Sequence, residues 1–253
     1  MAMTTSITTL AIALAVLPAA LSAQWPAYPT AGAPRLPDGR VNLDAPAPKT
    51  TDGRPDLSGI WDRGMMPGAP PSPPPAFGTT PHGPRPFQDL PSLFPEGLPL
   101  QPCAAELRKQ RLAEHSKDHP DALCLPLNVV QLASHPQPRK IIQTPGLVLI
   151  LYEANGGIRQ IFTDGRPLPD NDPNPWWYGY SIGKWEGDTL VVQTIDFKDL
   201  GWIDEYGTPI TSAGKVTERY RRLNYGTLEI EIAVDDPKTF TRPWSFKLNQ
   251  RLM

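Results

Sequence analysis

Four charged side chains crowd one short stretch of the sequence: Glu153, Arg159, Asp164 and Arg166. Glu153 ends an apolar run, and Arg159 opens the next after Asn155-Gly156-Gly157. Asp164-Gly165-Arg166 is a turn that leads into a proline-rich bend. A guanidinium fork grips an anionic or carbonyl group through charge-assisted hydrogen bonds. A carboxylate beside it, here Glu153 or Asp164, can act as a general acid or base. The plain alternative is that an Asp-Gly turn with a flanking arginine ties loops together. Trp176, Trp177, Tyr178 and Tyr180 follow directly. Rings this dense in a Pro/Asn-rich loop either plug a barrel end or wall a ligand site, because each brings apolar area with a polar handle.

Other chemistry is thinly represented. There is no Gly-x-Ser-x-Gly elbow, His-Glu-x-x-His pair, Walker loop or dinucleotide fingerprint. His115 and His119 stand four apart on an expected helix, but no third ligand is well spaced, so no metal and no cofactor are expected. A net charge of −2 with both signs interspersed offers nothing to nucleic acid.

Residues 10–21 are almost wholly apolar and run into Ala19-Ala20-Leu21-Ser22-Ala23, which reads as a signal peptide over 1–23. No integral membrane segment is expected after its cleavage, since the run is shorter than a span of about 20 residues. Export to the periplasm or medium of a bacterium is the resulting expectation. Cys103 and Cys124 are the only cysteines, and in an exported chain they are expected to form a disulfide.

These residues need a scaffold, and the pattern predicts a mainly β one. About two-thirds of the 33 prolines precede Cys103. Proline fixes φ and removes a donor, so residues 24–51 and 64–102 are expected as an irregular arm and insertion that wrap the domain or stay disordered. Pro70–Pro75 should be polyproline II. One helix is predicted at 103–117, stopped by Pro120. After the turn before Ile60-Trp61, strands are predicted at 140–144, 147–153, 158–163, 178–185, 189–196, 216–223, 227–234 and 244–252. Short strands at regular spacing suggest an antiparallel up-and-down meander forming a barrel-like domain over 52–253.

A three-residue loop at Asn224-Tyr225-Gly226 fixes one register. Arg221 then faces Glu229 and Arg219 faces Glu231, as cross-strand charge pairs. Glu218, Tyr220 and Arg222 share the inner face with Leu228, Ile230, Ile232 and Val234. A buried Glu and Arg must be paired, and Glu218 with Arg222 is the expected pair. The same three side chains are candidates to line a cavity.

Several of these segments carry a resemblance. Asp52-Gly53-Arg54-Pro55-Asp56-Leu57-Ser58-Gly59-Ile60-Trp61, Phe162-Thr163-Asp164-Gly165-Arg166-Pro167, Gly179-Tyr180-Ser181-Ile182-Gly183-Lys184-Trp185, Val216-Thr217-Glu218-Arg219 and Asp235-Asp236-Pro237-Lys238 resemble a large family of uncharacterised secreted bacterial proteins. The resemblance implies secretion and no particular activity. Relatives carry histidines where this chain has Gly207-Thr208-Pro209-Ile210-Thr211, so chemistry resting on them is not implied here. They also continue past the last strand, so this chain could be a truncated member. Gly59-Ile60-Trp61 entering the first strand is similar to the lipocalin-like (calycin) barrels.

Three functions stay open at this level. One is a binding module for a small apolar or aromatic molecule, with Arg159, Arg166, Trp177, Tyr178, Tyr220 and Arg222 as binding residues. A second is a cofactor-independent lyase, isomerase or hydrolase using Glu153, Asp164 or Glu218. The third is a structural module of the cell envelope. An open cavity favours the first two, and a filled interior with all charges paired favours the third.

Overall fold

The computed structural model describes residues 31–63, 94, 96–170 and 174–253. The apolar leader and the Pro70–Pro75 run lie outside the described residues.

Nine strands close into one barrel in sequence order. They are β1 (Gly59–Arg63), β2 (Arg139–Thr144), β3 (Leu147–Tyr152), β4 (Ile158–Phe162), β5 (Tyr180–Glu186), β6 (Thr189–Ile195), β7 (Lys215–Arg222), β8 (Thr227–Asp235) and β9 (Trp244–Leu252). The last eight lie where the alternation predicted strands.

Neighbours are antiparallel all round the ring except at one seam, where β4 and β5 run parallel. An odd ring requires this. Strict alternation over nine strands would leave β1 and β9 pointing the same way. One parallel pair elsewhere restores the antiparallel closure seen at Trp61↔Leu252. A parallel neighbour needs a crossover rather than a tight turn, and residues 163–179 supply it. The seam is short: Ile161 pairs with Ser181 and Phe162 with Ile182, and the ladder goes no further. The up-and-down order therefore holds everywhere but here.

The β7–β8 register is the one deduced from the loop: Arg222↔Leu228, Tyr220↔Ile230, Glu218↔Ile232, with Arg221↔Glu229 and Arg219↔Glu231 outside. Leu228, Ile230, Ile232 and Val234 fill the barrel with Val148, Ile150, Ile161, Leu190 and Val192. The outer ion pairs differ from those expected. Arg219 reaches Glu186 on β5 (3.1 Å), and Lys247 on β9 takes Glu231 (3.5 Å) and Glu229 (3.9 Å). Long exposed side chains choose among diagonal neighbours.

Trp61 is fully buried at one barrel end, where its Nε1 donates to the Leu57 carbonyl (2.9 Å). Residues 31–51 are irregular and wrap the β7–β8 turn: Tyr225 N donates to Ala45 O (2.7 Å) and Gly226 N to Leu43 O (2.8 Å).

Among the described residues two α-helices precede β2. α1 (Pro102–Ala113) is shorter than predicted, because His115 and Ser116 adopt left-handed backbone and end it before Pro120. α2 (Val129–Ser134) was not predicted; its six residues are all buried, with the Asn128 side chain capping Val130 N. A segment so short and so fully covered has no amphipathic period to read.

The expected disulfide is absent. Cys103 and Cys124 are both exposed free thiols. Cys103 opens α1, with its sulfur against the Lys238 carbonyl (3.9 Å). Cys124 ends the 3-10 turn Pro120–Leu123 in left-handed backbone. A 12-residue helix rises about 18 Å, and it carries the chain away from Cys103 before Cys124 is reached.

Candidate functional site

On β4 the usual code is inverted. Ile158 faces outward, 59% exposed, while Arg159 points inward at 1%. Arg159 meets Glu218 from β7 inside the barrel. Its Nη1 donates to Glu218 Oε1 (2.9 Å) and its Nη2 to Oε2, in a two-point fork. Its remaining donors go to Ser181 Oγ on β5 (3.2 and 3.3 Å), Thr194 Oγ1 on β6 (2.9 Å) and Tyr220 Oη (3.4 Å). Tyr220 in turn donates to Glu218 Oε1 (2.8 Å). Four strands thus supply one closed polar network.

Burial alone would push the Arg159 guanidinium down, but the Glu218 carboxylate overcomes it and holds it well above its ordinary value. Burial and the same carboxylate push the Tyr220 phenol well up. Arg159 stays charged and Tyr220 stays neutral. Breaking such a pair leaves an uncompensated buried charge, the costly outcome inside a protein.

The expected charged rim does not form. Arg159 turns inward, Glu153 is exposed at the end of β3, and Asp164 and Arg166 pair on the outside (2.6 Å). The expected Glu218–Arg222 pair is also replaced, because Arg159 reaches Glu218 first. Arg222 caps the barrel end, donating to the carbonyls of Asp56, Ser58, Asn224 and Tyr225. It lies over the rings of Trp61 (4.9 Å) and Tyr225 (5.3 Å). Tyr220, expected to line a cavity, is packed in the core with the inner face of β8.

The aromatic segment does build a site. Trp176, Trp177, Tyr178 and Tyr180 come down beside β4 at the parallel seam. With Pro126, Ile158, Gln160 and Phe162 they enclose a cleft of about 340 Å³. Arg159 and Ser181 also line it, so its floor is the β4–β5 wall beside the end of the ladder.

Two glycines make the approach possible. A Cβ on Gly157 would lie 3.0 Å from the Tyr178 hydroxyl. Gly179 holds φ +66°, and a Cβ there would meet Thr194 Cγ2 at 2.6 Å and Ile195 O at 2.7 Å. Burial pushes the Tyr178 phenol up, as does neighbouring Tyr152. At the outer lip the Arg166 guanidinium stacks on Phe162, 3.8 Å from the ring centre. Ile158 and Trp176, at 59% and 51% exposed, form an apolar lip of a kind that marks binding surfaces.

A third cluster escaped the sequence. Glu205 Oε1 accepts from Gln131 Nε2 (2.8 Å) and faces His135 Nε2 (3.0 Å), while its Oε2 lies 3.4 Å from His119 Nε2. The hydrogen bond from His135 chiefly holds the Glu205 carboxyl below its ordinary value of 4.5. Glu205 lies about seventy residues beyond Gln131 and His135, so no local spacing signals the cluster. His115, once paired with His119 as a possible ligand couple, points away on exposed left-handed backbone. Among the described residues no group of three or more His, Cys, Asp or Glu could hold a metal ion.

A larger hollow of about 680 Å³ lies between the arm and the Arg222 end. Its one arginine is already committed to backbone carbonyls and it lacks the dense ring wall, so the seam cleft is the stronger site. Among the described residues no helix is long and apolar enough to cross a membrane. In comparisons with known proteins the chain matches no family model, no curated protein and no solved structure.

Proposed function

We propose that this chain is an exported β-barrel protein that binds a small apolar or aromatic molecule in the cleft at the β4–β5 seam. The observation that carries the reading is the cleft itself: five aromatic side chains, Phe162, Trp176, Trp177, Tyr178 and Tyr180, around about 340 Å³ of space. That volume suits a small ligand, and an apolar wall with few polar groups is the common composition of such sites. Export rests on the apolar leader at 1–23 and on the resemblance to secreted bacterial proteins.

Binding is favoured over catalysis because no carboxylate among the described residues lines the cleft. Glu218 is bound to Arg159 and Asp164 to Arg166, so neither is free to move a proton. The filled interior with its paired charges favours the envelope-module reading for the barrel core. The open seam is what that reading leaves unexplained.

Native mass spectrometry of the chain purified from its own compartment tests the proposal. A bound small molecule is expected in the native protein and reduced occupancy in Trp177→Ala. A bare chain whose tryptophan emission ignores saturating 2-naphthalenemethanol would overturn it.

A further inference from the structure

We infer that the ligand class of the seam cleft is a flat aromatic anion, held by its ring in the cleft and by its charged head at Arg166 and Tyr180; this rests on the binding reading above. The sign of the charge comes from the surroundings. Among the described residues the lining holds no carboxylate, while two cations sit on its wall rings: Arg166 on Phe162 (3.8 Å) and Lys198 on Trp177 (5.4 Å). Lys198 makes no ion pair with a described residue.

The head-group site comes from how Arg166 is held. Asp164 takes its Nε (3.0 Å) and Nη2, which fixes the guanidinium plane against Phe162. The other edge carries Nη1, whose only partner among the described residues is the Tyr180 hydroxyl at a long 3.4 Å. Nη1 and that hydroxyl are two donors 3.4 Å apart at the mouth of a ring-walled slot. A carboxylate there would accept a charge-assisted hydrogen bond from Nη1 and a second from the phenol. The Tyr180 ring continues the wall, 5.3 Å from Phe162 and 6.4 Å from Trp176. A planar ring thus has a face to lie on below its own head group.

The test uses three probes of one shape on the full chain: 2-naphthoate, 2-naphthalenemethanol and 2-naphthylmethylamine, read by calorimetry at pH 7. Naphthoate is expected to bind about tenfold more tightly than the alcohol, the value of one charged hydrogen bond, and the amine most weakly. In Arg166→Gln the naphthoate-to-alcohol ratio should fall to about one. Tyr180→Phe, which keeps the ring and loses the donor, should lower the ratio part of the way. Trp176→Ala should weaken all three probes together.

Three equal affinities that all respond to Trp176→Ala would overturn the anion assignment and leave the binding cleft standing. A naphthoate preference that survives in Arg166→Gln would overturn the head-group site. Failure of all three probes to bind would overturn the cleft reading and this inference with it.

Discussion

Arg159 and Arg166 lie on one short stretch of chain, and each is forked to a single carboxylate, yet they answer to different physics. Arg159 and Glu218 are both 1% exposed, and every donor of the guanidinium is used within the barrel. Arg166 and Asp164 are 42% and 38% exposed, open to solvent beyond the Tyr180 contact. The inner pair has no alternative partner once formed, because the barrel excludes solvent. The outer pair trades one set of hydrogen bonds for another, and median exposed pairs contribute little. The same residue types therefore make a keystone in one place and an adjustable surface pair in the other.

The difference is tested most sharply from the inside. Glu218→Ala should cost about 3–5 kcal/mol, because it strands a buried guanidinium. Replacing both members, Arg159→Met with Glu218→Leu, should recover most of that loss in urea denaturation. A double variant as weak as the single one would show that the network itself, rather than charge balance, holds the barrel.

Arg222→Ala comes next. Arg222 is 6% exposed but has carbonyl partners in place of a carboxylate. Its loss should cost about 1–3 kcal/mol, the range for buried acceptors left unpaired. A cost equal to that of Glu218→Ala would mean that burial, and not pairing, decides.

A smaller effect is expected at Glu205, a half-exposed carboxylate between two histidines. Its folded value is depressed, so its contribution is complete above its ordinary value of 4.5 and is lost as pH falls through the folded value. Glu205→Gln should therefore flatten the acid limb of stability against pH and leave the limb above neutrality unmoved. The smallest effect belongs to the outer pair. Asp164→Asn should leave the denaturation midpoint in place while loosening Arg166, visible as weaker naphthoate binding. A clear drop in midpoint would erase the contrast drawn here.

The strands, the β7–β8 register and the inward face of Glu218, Tyr220 and Arg222 were legible because alternation and turn length fix them locally. The partner of Glu218 was not. Arg159 follows exposed Ile158 and precedes exposed Gln160, so hydropathy on β4 says the opposite of what the barrel does. Nothing short of knowing that β4 and β7 face each other across the lumen reveals the pair. The aromatic cleft was half legible: Trp176–Tyr180 announced a ring cluster, but the gap it fills depends on where the ladder between β4 and β5 stops. The Glu205 cluster was illegible, since Glu205 lies some seventy residues beyond the segment that holds its partners.

That gap ties the number of strands to the presence of the groove. A relative that gained or lost one strand would close with an even count and would need no parallel neighbour. Its wall could be hydrogen-bonded without a break, and a ligand would find no opening between β4 and β5. Strands added or removed as whole hairpins leave the count odd and the opening in place. Changes of strand number in this architecture are therefore also changes in its wall, with single-strand steps closing the seam and paired steps preserving it.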